Sequence, residues 1–394
     1  MQYRDQQEPV LILTTGPVQA YPAVLRALAT PVSYDSDAAF RSRYAAVLER
    51  ARLALRSRTT PVILQGEPVL ALEATAASMI GAADVVLNLS SGVYGKGFAG
   101  WARRYAREVI ELEVPFNEAI APDAVAAALR ARPDVTVVSV CHHDTPSGTL
   151  NPIAAIGAIV AAHGGYLLVD AVSSFGGMDV HPDACAADVF VTGGNKCLGC
   201  PPGLSLVGVS ARAWAKMARN PDAPRASALS LLDWKEAGQP GHGFPSTPLI
   251  AEINGLAAAL DLYLDEGPEH VWARHALTAA ACRAGLVALG LELWPAREEI
   301  AAPTATVVRV PTGIEDAQLR ATVRRLYGVV LSGGRGSMAG RVIRIGHMGP
   351  SAQLIYATVA VAALGGALRA LGCPVDIGAG VVATLSVIDS AAAK

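Results

Sequence analysis

The 394-residue sequence predicts an α/β chain, with a large domain built on a mostly parallel sheet between helices and a smaller C-terminal α+β domain. Three observations carry this reading. The chain is too long for one simple core. Between Pro61 and Val209, short β-branched apolar runs alternate with longer alanine-rich stretches, the pattern of strands buried on both faces and covered by helices. Beyond residue 275, strands and helices alternate in a second, smaller layer.

The expected division is an N-terminal segment over residues 1–15, a large domain over 16–275 and a small domain over 276–394. In the large domain the spacing predicts strands at 62–64, 85–89, 135–140, 166–169, 189–192 and 204–209. Polar or glycine-rich residues follow the first five: Gly66-Glu67, Ser90-Ser91-Gly92, His142-His143-Asp144, Asp170, and Gly193-Gly194-Asn195-Lys196. In open α/β sheets ligands bind beyond the carboxyl ends of the strands, so these tails are expected to gather at one rim. A helical stretch over 249–277, broken near Gly267-Pro268, is expected to lead into the small domain. There strands at 305–310, 329–331 and 342–345 alternate with helices at 316–327 and 351–371.

A net charge of −2 without long runs of either sign argues against nucleic acid and anionic membranes as partners. Six scattered cysteines do not form a disulfide framework, and residues 1–15 lack the features of a secretory signal, so a reducing cytoplasm is expected. The apolar stretch 351–368 is interrupted by Gln353 and Gly365-Gly366 and reads as a buried helix rather than a membrane span. Cys197 and Cys200 have redox or half-zinc-site spacing but lack a second ligand pair, so no metal is expected.

Asp170 ends one apolar run and Lys196 closes the next. A carboxylate and an amine on consecutive strand ends suit a pyridine ring: the carboxylate keeps the ring nitrogen protonated, and the lysine forms the imine and shuttles the proton. The bland reading of the pair is a surface ion bridge.

The surrounding segments decide between the two. Tyr166-Leu167-Leu168-Val169-Asp170-Ala171-Val172-Ser173-Ser174 and Thr192-Gly193-Gly194-Asn195-Lys196-Cys197-Leu198-Gly199 resemble the signature of class V aminotransferases of fold type I, and the likeness runs from Gly16-Pro17 to Arg344. The resemblance implies that Lys196 forms the imine, Asp170 pairs with the ring nitrogen, Tyr94 stacks on the ring and the Thr145 hydroxyl lies near its phenolic oxygen. It also implies that Arg344 binds the substrate carboxylate, and that copies of the chain assemble as a homodimer or homotetramer, because the family builds its site across a subunit interface. Arg335, in a glycine-rich loop, is a second candidate for the carboxylate. His142-His143 reads as a packed pair rather than a catalytic base, a role that Lys196 already fills.

Two departures concern phosphate. Relatives that use pyridoxal phosphate offer small residues and free N–H groups where this chain has Gly66-Glu67-Pro68. An ionised Glu67 about 4 Å from a phosphate would cost roughly 4 kcal/mol at an effective dielectric near 20, on the order of a thousandfold in affinity. Phe244 stands where many relatives place a tyrosine that reaches the neighbouring subunit's phosphate. The ring is therefore expected to be unphosphorylated and to act as a substrate. The expected reaction, in vitamin B6 degradation, converts pyridoxamine and pyruvate to pyridoxal and L-alanine reversibly, with no separate cofactor. The alternative is a pyridoxal-phosphate-dependent alanine–glyoxylate or serine–pyruvate aminotransferase. A non-catalytic pyridoxal carrier is a further alternative.

Overall fold

The computed structural model describes residues 10–239 and 241–392; residues 1–9 of the expected N-terminal segment and 393–394 of the small domain lie outside them. Seven strands form the central sheet, in the spatial order Val62–Gln65, Leu204–Val209, Val189–Gly193, Tyr166–Asp170, Val137–Cys141, Val85–Ser90 and Glu108–Glu113. Neighbours pair in parallel except at Leu204–Val209, which runs antiparallel to both of its neighbours. Its connection explains the reversal: residues 194–203 fall short of the roughly dozen residues that a parallel crossover needs.

Alternate residues along each strand feed two cores. Val169, Phe190 and Leu206 pack with the helices Ala38–Ala54, Ile153–His163 and Ile250–Glu266. Leu168, Val191 and Val207 face the opposite way, against Pro68–Met79, Val93–Tyr105 and Ala211–Arg219. Glu108–Glu113 was not expected as a strand. It lies at the sheet edge, where three glutamates replace the continuous apolar run that marks the inner strands.

The expected long helix breaks at Gly267 into Ile250–Glu266 and Pro268–Ala288, with Pro268 at the first helical position, where its missing N–H costs nothing. The second of these packs against Leu354–Ala370 and Ile377–Ala392 in the smaller layer. Ala305–Arg309, Val342–Gly346 and Ser332–Gly333 form an antiparallel sheet there. Val329–Val330 instead pairs in parallel with Leu11–Ile12, so the start of the described chain is a strand of the smaller layer. The helix Leu354–Ala370 buries Val361, Leu364 and Leu368 in that layer's core, and no helix among the described residues is long and apolar enough to cross a membrane.

The sheet end remote from the strand tails is tied by Asp84. This carboxylate receives Lys216 Nζ at 2.7 and 2.9 Å, Thr136 Oγ1 at 2.7 Å and the Gly81 N–H at 2.8 Å. Replacing Lys216 by Met leaves a nearly buried carboxylate without its cation, and the expected cost is on the order of 3–5 kcal/mol. A urea titration reads this as a lower midpoint at unchanged slope. A loss below about 1 kcal/mol would reduce the pair to a surface bridge.

Candidate active site

The strand tails open into a cavity of about 400 Å³, within the roughly 300–1,000 Å³ of small-molecule sites. Glu67, Tyr94, Asp170, Lys196, Arg335 and Arg344 line it, together with Thr15, Gly16, Ser173 and Asn195. Of the seven residues given ring- or carboxylate-binding roles from the sequence, Thr145 alone is off the cavity wall. It is fully buried in the loop after the central strand Val137–Cys141, and its hydroxyl has no hydrogen-bond partner among the described residues.

Lys196 follows the strand Val189–Gly193, and its amine donates to the Thr15 carbonyl at 2.7 Å. Burial first, and then the neighbouring Arg344 guanidinium, bring the amine down from 10.5 to about 8. Roughly a tenth is therefore neutral, and nucleophilic, at pH 7, far more than for a free lysine. Thr15 was not anticipated, because a backbone carbonyl carries no side-chain signal. Beside it, Gly16 has φ of +135°, and a Cβ there would lie 1.9 Å from Lys196 Nζ. The chain needs glycine here for both reasons.

Asp170 ends its strand directly opposite Cys141, and its Oδ1 accepts the Val172 N–H at 2.9 Å. Burial lifts the carboxyl to about 6, against the opposing pull of Val172, Cys141 and Lys196, so it is mostly ionised at neutral pH. Tyr94 lies in the first turn of the helix Val93–Tyr105, and its hydroxyl receives Arg335 Nη1 at 3.2 Å. That helix start is held by Asp144, which the sequence pattern does not mark as a site residue. Its Oδ2 accepts the N–H groups of Tyr94 at 2.7 Å and Gly95 at 3.0 Å, while burial pushes the carboxyl up to about 7. His142 and His143 are buried, which lowers them to about 4 and about 3. His143 Nδ1 meets Thr304 Oγ1 at 2.8 Å, and neither ring lines the cavity.

Glu67 precedes the helix Pro68–Met79 and folds back on it, accepting the Val69 N–H at 3.0 Å. Pro68 has no N–H, and the Leu70 N–H is taken by the Glu67 carbonyl at 2.8 Å. The helix start is thus filled from within the chain and charged by a carboxylate. Phe244 turns into its own chain, edge-on to Tyr44 with ring centroids 5.0 Å apart and with Phe40 at 5.9 Å.

Arg344, from the strand Val342–Gly346, is 6% exposed and donates through Nε to the Gly333 carbonyl at 2.6 Å. Among the described residues it forms no ion pair with a carboxylate. Burial lowers its pKa, yet a guanidinium stays charged, so it stands at the cavity wall as a cation able to receive an anion. Arg335 is exposed and enters from the loop beside it.

A pyridine ring fits these residues. Asp170 suits the ring nitrogen, Tyr94 a ring face and Lys196 a carbonyl carbon, all three on the cavity wall, whereas Thr145 is buried behind it and the first helical N–H groups after Glu67 are taken or missing. A Gly16→Ala variant is expected to fold but to lose aldehyde capture at Lys196, measured by borohydride trapping of pyridoxal and peptide mass spectrometry. Undiminished trapping would show that the lysine does not need the space above Gly16.

Comparison with known proteins agrees with this geometry. The aminotransferase class-V family model matches residues 100–351. A pyridoxamine–pyruvate transaminase of Mesorhizobium japonicum is 61% identical over 390 residues, 99% of each chain. An uncharacterised aminotransferase of Methanocaldococcus jannaschii is 35% identical over 92% of this chain and 93% of its own. The crystal structure of pyridoxamine–pyruvate aminotransferase from Mesorhizobium loti superposes with a TM-score of 0.97 at 61% identity, covering 98% of each chain. With a fold type I architecture and these relatives, the chain belongs to the class-V aminotransferase family.

Proposed function

We propose that this aminotransferase takes pyridoxamine and pyruvate to pyridoxal and L-alanine, reversibly, as a step in vitamin B6 degradation. The observation that carries the reading is the helix start at Glu67: with its N–H groups taken and a carboxylate in place, the cavity favours a ring without phosphate. The 61% identity to a transaminase named for these two substrates supports it. The ring, once bound, supplies the electron sink.

The chain's own residues supply the rest. Asp170 presents a negative charge that keeps a pyridine nitrogen protonated. Lys196 in its neutral form removes a proton from the amine-bearing carbon and returns one to the α-carbon of the keto acid. Arg344, backed by Arg335, receives the pyruvate carboxylate and thereby orients the carbon to be aminated. No separate cofactor enters the scheme. We further propose that Lys196, Glu67, Tyr94, Thr145, Asp170, Arg335 and Arg344 act in the roles given, and that copies of the chain pair into a homodimer or homotetramer. Exposed Leu25, Val32 and Tyr34 offer apolar surface for that pairing.

Purified protein mixed with pyridoxamine and pyruvate should yield pyridoxal and alanine without added pyridoxal phosphate, and Lys196→Ala should abolish the reaction. Product formed only after pyridoxal phosphate is added would favour a conventional alanine–glyoxylate or serine–pyruvate aminotransferase. Capture of pyridoxal without turnover would favour a carrier. A Glu67→Ala variant frees the Val69 N–H and removes the charge, so the preference for pyridoxal over pyridoxal phosphate should fall by at least about tenfold.

The rate of pyridoxal capture, followed by absorbance in stopped flow, should rise with pH through about 8 and level off above it, because the neutral amine is the attacking form. Removing the Arg344 charge in Arg344→Leu should move that inflection to higher pH. An inflection near the free-lysine value of 10.5 in the parent protein would contradict the environment described for Lys196.

A further inference from the structure

We propose that Asp144 is a positioning residue for the ring: its carboxylate clamps the first turn of the helix Val93–Tyr105 and so holds Tyr94 at the cavity wall. The inference rests on the pyridoxamine reading of the site and extends it to a residue outside the cavity. Asp144 is fully buried, and one of its oxygens takes both the Tyr94 and the Gly95 N–H. The residue that caps this helix therefore comes from a strand about fifty positions downstream. The local cap position is Gly92, which has no side chain to offer.

Gly92 also makes room for the clamp. A Cβ there would sit 2.1 Å from Asp144 Cγ and 2.5 Å from both carboxylate oxygens. The carboxylate thus fills the crook of the helix start, where a local serine or aspartate cap would otherwise lie.

The other side of the clamp is pinned as well. Asp144 belongs to the hairpin of His143–Asp144 and Thr149–Leu150. Its own carbonyl accepts the Ser147 and Gly148 N–H groups. The hairpin is tied to the smaller layer through His143 Nδ1 with Thr304 Oγ1 at 2.8 Å and through the Ala302 N–H to the Gly148 carbonyl at 2.9 Å. The far end of Tyr94 is held by Arg335, from the loop beside the strand that carries Arg344. Tyr94 is therefore gripped at its backbone from one side and at its hydroxyl from the other. Loss of the backbone grip should loosen the ring's stacking partner and leave Arg344, held by the Gly333 carbonyl, in place to bind the keto-acid carboxylate.

The test uses the full chain and steady-state kinetics with both substrates varied. Asp144→Ala should raise KM for pyridoxamine by roughly fivefold, the equivalent of one lost cap, with KM for pyruvate within twofold of the parent. Asp144→Asn, which can still accept the two N–H groups, should restore the pyridoxamine KM. Thermal melts establish that each variant is folded at the assay temperature. A cap of purely structural importance would lower the melting temperature of Asp144→Ala and leave the pyridoxamine KM of the folded enzyme unchanged. That result overturns the proposal. So does an equal rise in both KM values, or an Asn variant as impaired as the Ala variant. If the parent protein does not transaminate pyridoxamine at all, the reading of the site fails first, and the same variants measured by pyridoxal affinity still decide whether Asp144 holds the ring partner.

Discussion

A lysine amine removed from water at the end of a β-strand is the constraint on which the site depends. Free in solution, the amine would be almost wholly protonated at neutral pH and inert toward a carbonyl. Burial and the Arg344 charge disfavour the ammonium form, while Asp170 and Glu67 pull the other way and limit the shift. The result is a group able to attack and also to carry a proton. The fold provides this environment because strands buried on both faces deliver their polar tails to one low-dielectric rim. Gly16 and the Thr15 carbonyl then fix where the amine stands.

Much of this was legible in the chain. Asp170 and Lys196 stood out because each terminates an apolar run, so strand period and functional position coincide in the sequence. Arg344 was legible through the family resemblance, with apolar neighbours Val342, Ile343 and Ile345 that suggest an inward strand position, where a charge is costly unless something pairs with it. The residues that escaped act through contacts between distant segments. Thr15 meets Lys196 across a separation of 181 positions, and Asp144 caps a helix from a separation of 50. Neither a backbone carbonyl nor a remote cap leaves a local pattern. The edge strand Glu108–Glu113 and the split of the expected strand 329–331 were hidden for another reason: sheet pairing, not propensity, decides short or polar strands.

Phe244 shows the limit of reading a departure from family pattern as a single function. From the sequence it reads as the loss of a phosphate ligand. In the fold its ring fills an aromatic cluster with Phe40, Tyr44 and Trp234, a sufficient reason for an apolar residue at that position. Glu67 is the more telling departure, because it acts on a helix N-terminus twice. It neutralises the partial positive charge that would attract an anion, and it occupies an N–H that would bind one.

The distribution of charge around the cavity then has a direction. On the side of the helix Pro68–Met79 a carboxylate stands where an anion could otherwise dock. On the side of the smaller layer, Arg335 and Arg344 stand with no ion-paired carboxylate among the described residues. An anionic handle on the ring is disfavoured and an anionic handle on the keto acid is favoured, so the same wall chemistry that orients pyruvate distinguishes it from the ring. A phosphate would add binding energy equally to every state of the ring, which favours retention more than turnover. Under the proposed reaction the ring leaves after each cycle, and such a ring is better held by a stacked tyrosine, a paired nitrogen and a reversible bond to lysine. Tyr94, Asp170 and Lys196 on the cavity wall are the residues suited to those contacts.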